Sequence, residues 1–198
     1  MTHDGGMNPI DVAPATPDRW ADIVTVMGVR GDPSRCWCQF FRLRGADWQA
    51  ATARSNRAAL RRQVESPRAP PGVLAYLTGE PVGWCAVAPK GSYPRVIASR
   101  TTAITHEDVD GVWAVTCFVV RVGFRRQGVA GALLRGAVDL ARQKGATAVE
   151  GYPIDPDARS SVNSAELYHG TVSVFRAAGF TELRRPSPAR AVVRLPLA

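Results

Sequence analysis

With 198 residues, 45% of them hydrophobic, the chain can bury a core without metals or disulfides, and wholesale disorder is excluded. The net charge of +8 raises a nucleic-acid partner, but Lys90 and Lys144 are the only lysines, and the 23 arginines are scattered as a GC-rich coding sequence scatters them. No apolar run reaches the ~18 residues of a membrane span, the first residues lack a basic-plus-apolar leader, and four cysteines make no disulfide framework. The expectation is a cytoplasmic protein, monomer or homodimer, with a flexible segment over residues 1–8 and one domain over 9–198.

Ile10 to Ala15 reads as a first strand. Thr16-Pro17-Asp18 is a helix start, followed by Trp20, Ile23, Val24 and Met27 at helical spacing, with breaks at Gly28 to Gly31 and at Asp32-Pro33. Cys36 to Arg44 is aromatic-rich and has no clear period. Ala46 to Glu65 reads as one alanine- and arginine-rich helix that ends at Ser66-Pro67. Residues 73–77 and 82–87 flank Thr78-Gly79-Glu80-Pro81 as a β-hairpin, and 89–105 is punctuated like a loop. Val112 to Val120 is apolar almost throughout, the pattern of a strand buried on both faces.

Gly128 to Lys144 is an amphipathic helix with Val129, Ala132, Leu133, Ala137, Leu140 and Ala141 along one stripe, closed by Gly145. Thr147 to Tyr152 is a strand, and 153–170 is a long polar connection. Thr171 caps a short helix to Ala178, and strands 180–185 and 191–197 finish the chain. The strand–helix–strand unit over 112–152 implies a parallel crossover inside a mixed sheet.

Between the buried strand and its helix lies Arg121-Val122-Gly123-Phe124-Arg125-Arg126-Gln127-Gly128. A basic loop at a helix N-terminus gathers unpaired amides and guanidinium groups in one small volume, which suits a phosphate or pyrophosphate. Arg125-Arg126-Gln127-Gly128-Val129-Ala130 also fits the R/Q-x-x-G-x-G/A signature of the GNAT superfamily of N-acetyltransferases, and the chain resembles that family over roughly residues 9–197. Ala177-Ala178-Gly179-Phe180 at the end of the last helix strengthens the resemblance.

The resemblance implies an α/β (α+β) fold: a mixed, mostly antiparallel sheet with a central parallel β-α-β crossover and flanking helices. It implies acetyl-CoA as co-substrate and direct acetyl transfer to a primary amine, a small molecule or a protein terminus. Backbone of Phe118, Val119 and Val120 would meet the pantetheine arm. Arg125, Arg126, Gln127, Gly128, Val129, Ala130 and Gly131 would hold the pyrophosphate.

The family often places a tyrosine acid four residues before the Gly-Phe pair, and here that position is Phe175. Tyr168 is the nearest replacement, with the Thr171 and Ser173 hydroxyls close by. For the base, Glu150 lies on the strand after the crossover helix, where its end should face the acceptor cleft. Asp155, His169, Glu107, Asp108 and a water chain remain open alternatives. Phe175 motivates a second reading, a non-catalytic acyl-CoA sensor on the same fold. Cys117 has no histidine at a telling spacing to activate it, and Cys36-Trp37-Cys38 is only half of a zinc motif, so neither a cysteine nucleophile nor a metal is expected.

Overall fold

The computed structural model describes residues 9–99, 109–158 and 164–197. Seven strands form one sheet in the order β1-β2-β3-β4-β5-β7-β6: Ile10–Pro14, Gly72–Leu77, Glu80–Pro89, Val112–Val120, Ala148–Gly151, Arg190–Pro196 and Thr181–Ser187 respectively. Every neighbouring pair is antiparallel except β4 and β5, which run parallel. The expected mixed sheet with one parallel crossover is what the chain adopts. Among the described residues, no helix is long and apolar enough to cross a membrane.

Alternation along the strands fills the two faces. In β2 and β3, Val73, Ala75, Cys85 and Val87 point into one core, while Leu74, Trp84 and Ala86 point into another. Helix α6 (Val129–Gln143), which carries β4 over to β5, covers the first face with Leu133, Leu134, Ala137 and Leu140. Helix α1 (Trp20–Met27) covers the second face with Ile23, Val26 and Met27.

Three expectations change in detail. The helix expected over 46–65 is two helices, α3 (Gly45–Ala50) and α4 (Ala53–Glu65). Thr52 breaks it because its hydroxyl accepts from Ser55 N–H at 3.1 Å while its own N–H donates to Ser55 Oγ at 2.9 Å, a reciprocal cap stronger than continuity. Asp32-Pro33 starts a short helix, α2 (Asp32–Cys36), since proline in the first turn forfeits no hydrogen bond. The expected loop after Pro89 includes α5 (Pro94–Ala98), again with proline at its start. In the connection before α7 (Val172–Ala177), residues Ser164–His169 wind into a 3₁₀ segment that packs on β4. The segment 1–8, Glu107 and Asp108 lie outside the described residues.

Candidate functional site

The first half of the site is the junction of β4 and α6. Arg126 (φ +60°) and Gly128 (φ +79°) both adopt left-handed backbone, which curls the loop into the helix. For arginine this region is costly, by about 1–3 kcal/mol, and such outliers cluster where a ligand uses the geometry. The first helical bond runs from Ala132 N–H to Gly128 C=O at 3.1 Å, so the amides of Val129, Ala130 and Gly131 have no intrahelical acceptor. No side chain caps them. A Cβ placed on Gly128 would meet only Ile10 Cδ1, at 4.0 Å, so the cradle is open. Arg125, Arg126 and Gln127 are exposed around it. Gln127 Nε2 donates to Gly123 C=O at 3.0 Å, which braces the turn. Arg121 is committed elsewhere, to Glu80 and Pro81 C=O.

The second half is the edge of β4. Its pairing with β5 ends at Val115 opposite Gly151, whereas its pairing with β3 continues through Val120. A bulge inserts Thr116 between Val115 and Cys117, which face Val87 and Ala86. Phe118, Val119 and Val120 therefore belong to a stretch paired with a strand on one side only. A cavity of about 480 Å³ is lined in part by Phe40, Phe41, Tyr152, Tyr168 and His169.

Tyr168 stands in that cavity wall. Burial pushes its phenol up from 10, against the opposing pull of Arg190, so the hydroxyl keeps its proton at neutral pH. His169 lies against it with ring centroids 4.0 Å apart and planes tilted by 32°, and touches Phe41 on another side. Burial, aided by Arg190, lowers His169 to about 3, and its Nδ1 has no partner among the described residues. The imidazole is thus a neutral, wedged plate that fixes the Tyr168 ring.

Phe175, by contrast, is fully buried among Phe118, Phe180 and Gly151. A Cβ on Gly151 would collide with its ring, so glycine on β5 makes room for the phenyl group. The position four residues before Gly179-Phe180 is core.

Glu150 requires a correction of its expected surroundings. It is 0% exposed rather than facing a cleft. Lys90 Nζ lies 2.9 Å from Oε2, Tyr152 donates to the same oxygen at 3.0 Å, and Arg194 Nε donates to Oε1 at 3.1 Å. A carboxylate occupied on both oxygens ties β5 to β7 and to the segment after β3.

Cys38 accepts from Trp84 Nε1 at 3.2 Å, held beneath the sheet by left-handed backbone at Trp37 and Cys38. The adjacent Cys38 sulfur, together with burial, pushes the Cys117 thiol well up, the opposite of an activated nucleophile. Burial likewise raises Cys36 to about 11. No cluster of three or more His, Cys, Asp or Glu suited to a metal occurs among the described residues.

Sequence reasoning missed Arg44, Arg95, Arg190 and Tyr152, which also line the cavity. They come from four separated segments, and no spacing links them.

The family model described as Acetyltransferase (GNAT) family matches residues 37–166. Among solved structures, the chain is similar to the GNAT domain of S. lividans PAT, with TM-score 0.55 and 19% identity over 94% of this chain and 89% of that one. It is also similar to an acetyltransferase from Thermus thermophilus, with TM-score 0.53 and 17% identity over 96% and 99%. PaiA N-acetyltransferase from Thermoplasma acidophilum, solved in complex with coenzyme A, gives TM-score 0.53 and 11% identity over 96% and 99%. At these identities the likeness concerns the fold. No curated protein matches the sequence.

Proposed function

The chain belongs to the acetyltransferase (GNAT) family, and we propose that it moves an acetyl group from acetyl-CoA to a primary amine by direct transfer. The observation that carries this is the open cradle at Arg125–Gly131, three helix-start amides and two exposed guanidinium groups beside a half-paired strand. Backbone amides and a helix dipole hold a pyrophosphate without a metal. The unpaired side of Phe118–Val120 suits the amide-bearing pantetheine arm, which can add to it like a short strand. The bound thioester supplies an acetyl carbon open to nucleophilic attack.

In the proposed transfer the amine nitrogen bonds to the acetyl carbon and loses one proton, the carbon–sulfur bond breaks, the departing sulfur takes the Tyr168 proton, and the phenolate regains a proton from solvent. His169 is a positioning residue that keeps the phenol in place. Its pKa near 3 makes it too weak to hold the ammonium proton, which passes to solvent. Glu150 is assigned to the fold in this reading.

A second reading, a non-catalytic acyl-CoA sensor, draws on Phe175 in the core. Calorimetry with acetyl-CoA followed by a free-thiol screen across pooled amines separates the two. Heat with thiol release supports transfer, heat without release on any amine supports the sensor, and no heat sinks both.

A further inference from the structure

The proposed transfer uses none of the chain's four thiols, yet folding brings two of them together. Cys36 and Cys38 come from the end of α2 and the turn after it, Cys85 from β3 and Cys117 from β4. Alternation sends Cys85 to the core under α6, on the far face of the sheet. Cys38 and Cys117 share the opposite core with Trp84, Ala86 and Val119. Cys117 pairs with Ala86, and Trp84, two residues from Ala86 on the same face, donates Nε1–H to Cys38 at 3.2 Å. The Cys117 thiol lies against the Cys38 sulfur, and that contact, with burial, keeps its proton on.

Backbone geometry holds the pair in place. Trp37 and Cys38 both take left-handed backbone, φ +46° and +54°, which is costly for two successive non-glycine residues and turns Cys38 inward beneath the sheet. Gln39, buried beside it, braces the turn by donating Nε2 to Trp37 C=O at 3.0 Å. On the strand side, Cys117 follows the bulge at Thr116, where β4 has already parted from β5 and is held by β3. Cys117 is half-buried, which leaves a way in for an oxidant little larger than water, whereas Cys38 is covered.

We propose that Cys38 and Cys117 are a reversible redox switch, closed to a disulfide by hydrogen peroxide and reopened by a dithiol. The Cys38 sulfur attacks one peroxide oxygen and the O–O bond breaks. The departing hydroxide takes the thiol proton and becomes water. The Cys117 sulfur then bonds to the sulfur of the Cys38 sulfenic acid, and the displaced hydroxide leaves with the Cys117 proton as a second water. Two thiols lose two electrons and two protons, and one peroxide is reduced to two waters. The Trp84 N–H stabilises the charge that builds on Cys38 as it attacks.

Closure has a consequence for the donor. A disulfide holds its sulfurs about 2 Å apart, closer than two thiols in contact, so it draws the turn after α2 and Cys117 together. Phe118, the next residue, begins the half-paired stretch assigned above to the pantetheine arm. Weaker acetyl-CoA binding in the closed form rests on that reading, whereas the bond itself does not.

The test treats the full chain with hydrogen peroxide and then with dithiothreitol. Free thiols in the denatured protein are expected to fall from four to two, a peptide map to join residues 38 and 117, and the reductant to restore all four. Calorimetry should find acetyl-CoA bound about fivefold or more weakly by the closed form. Cys117→Ser should bind acetyl-CoA as the reduced chain does and lose the effect of peroxide. Cys36→Ser, which alters the half-buried thiol outside the pair, should keep both the link and the effect.

Four surviving thiols, oxidation to sulfonic acids alone, or a link through Cys36 overturns the proposal. So does a 38–117 link that leaves acetyl-CoA affinity unchanged. Absence of acetyl-CoA binding in both forms sinks the donor reading, while the joined peptide then supports the redox pair by itself.

Discussion

Tyr168 and Phe175 sit seven residues apart, one in the cavity wall and the other in the core. The phenyl ring of Phe175 is fully buried and packs against glycine at 151, where an added hydroxyl would have to be desolvated in a space already filled. Tyr168→Phe is therefore expected to lower kcat about 10²-fold with little change in the KM for acetyl-CoA. Phe175→Tyr should destabilise the fold by about 1–3 kcal/mol and rescue nothing in that background, as urea denaturation and steady-state kinetics would show. A gain of activity in Phe175→Tyr would mean that the core position still reaches the sulfur.

His169 gives a pH signature. Its folded pKa is lowered to about 3 from 6.5, so the unfolded chain takes up the proton first. Its contribution to stability is complete above pH 6.5 and falls as pH drops, by about 1.4 kcal/mol per unit, until the folded value is reached. Between about pH 6.5 and 5, His169→Gln should show a shallower decline than the unaltered chain in denaturant titrations. Parallel slopes would place His169 in contact with water.

At the scale of elements, short strand β5 is pinned as much by charge as by its ladder. Glu150 meets a buried lysine from the segment after β3 and a half-buried arginine from β7. Glu150→Gln removes the negative member and leaves two cations together, which is expected to cost about 3–5 kcal/mol and to lower the urea midpoint without changing the slope. A variant of full stability with greatly reduced kcat would instead return Glu150 to the chemistry.

The start of α6 behaves differently, because Gly128 is exposed and a side chain there has open space around it. Gly128→Val forces a β-branched residue to φ +79° and should weaken acetyl-CoA binding about tenfold or more, with circular dichroism nearly unchanged. Unchanged affinity would separate this loop from the donor.

Over the whole molecule, the net charge of +8 is carried mainly by arginine, and part of it converges on the cradle and the cavity. A positive field accelerates and tightens docking of a polyanion, and salt screens it. The KM for acetyl-CoA should rise several-fold between low and near-molar salt, while Tm changes little. An invariant KM would show that the cradle acts through its amides alone.

The central motif was legible because its causes are local. The run of apolar residues at 112–120, the glycine at 128 and the helical stripe from Val129 to Ala141 each dictate backbone shape over a few residues, and together they specify strand, turn and crossover helix. Phe175 was legible in the same way, by its offset from Gly179-Phe180. Thr52, which splits a helix, had a readable cap, but the helix propensity on both sides masked it.

Family and mixed sheet thus follow from the residues read in chain order. Folding in three dimensions was needed to lock Glu150 between Lys90 and Arg194, to set Tyr168 in a cavity wall, and to bring three distant arginines to that cavity. The physical reason is range. Periodicity and turn chemistry act over a few neighbours along the chain, whereas burial, ion pairing and cavity lining depend on which separated segments the folded sheet brings together.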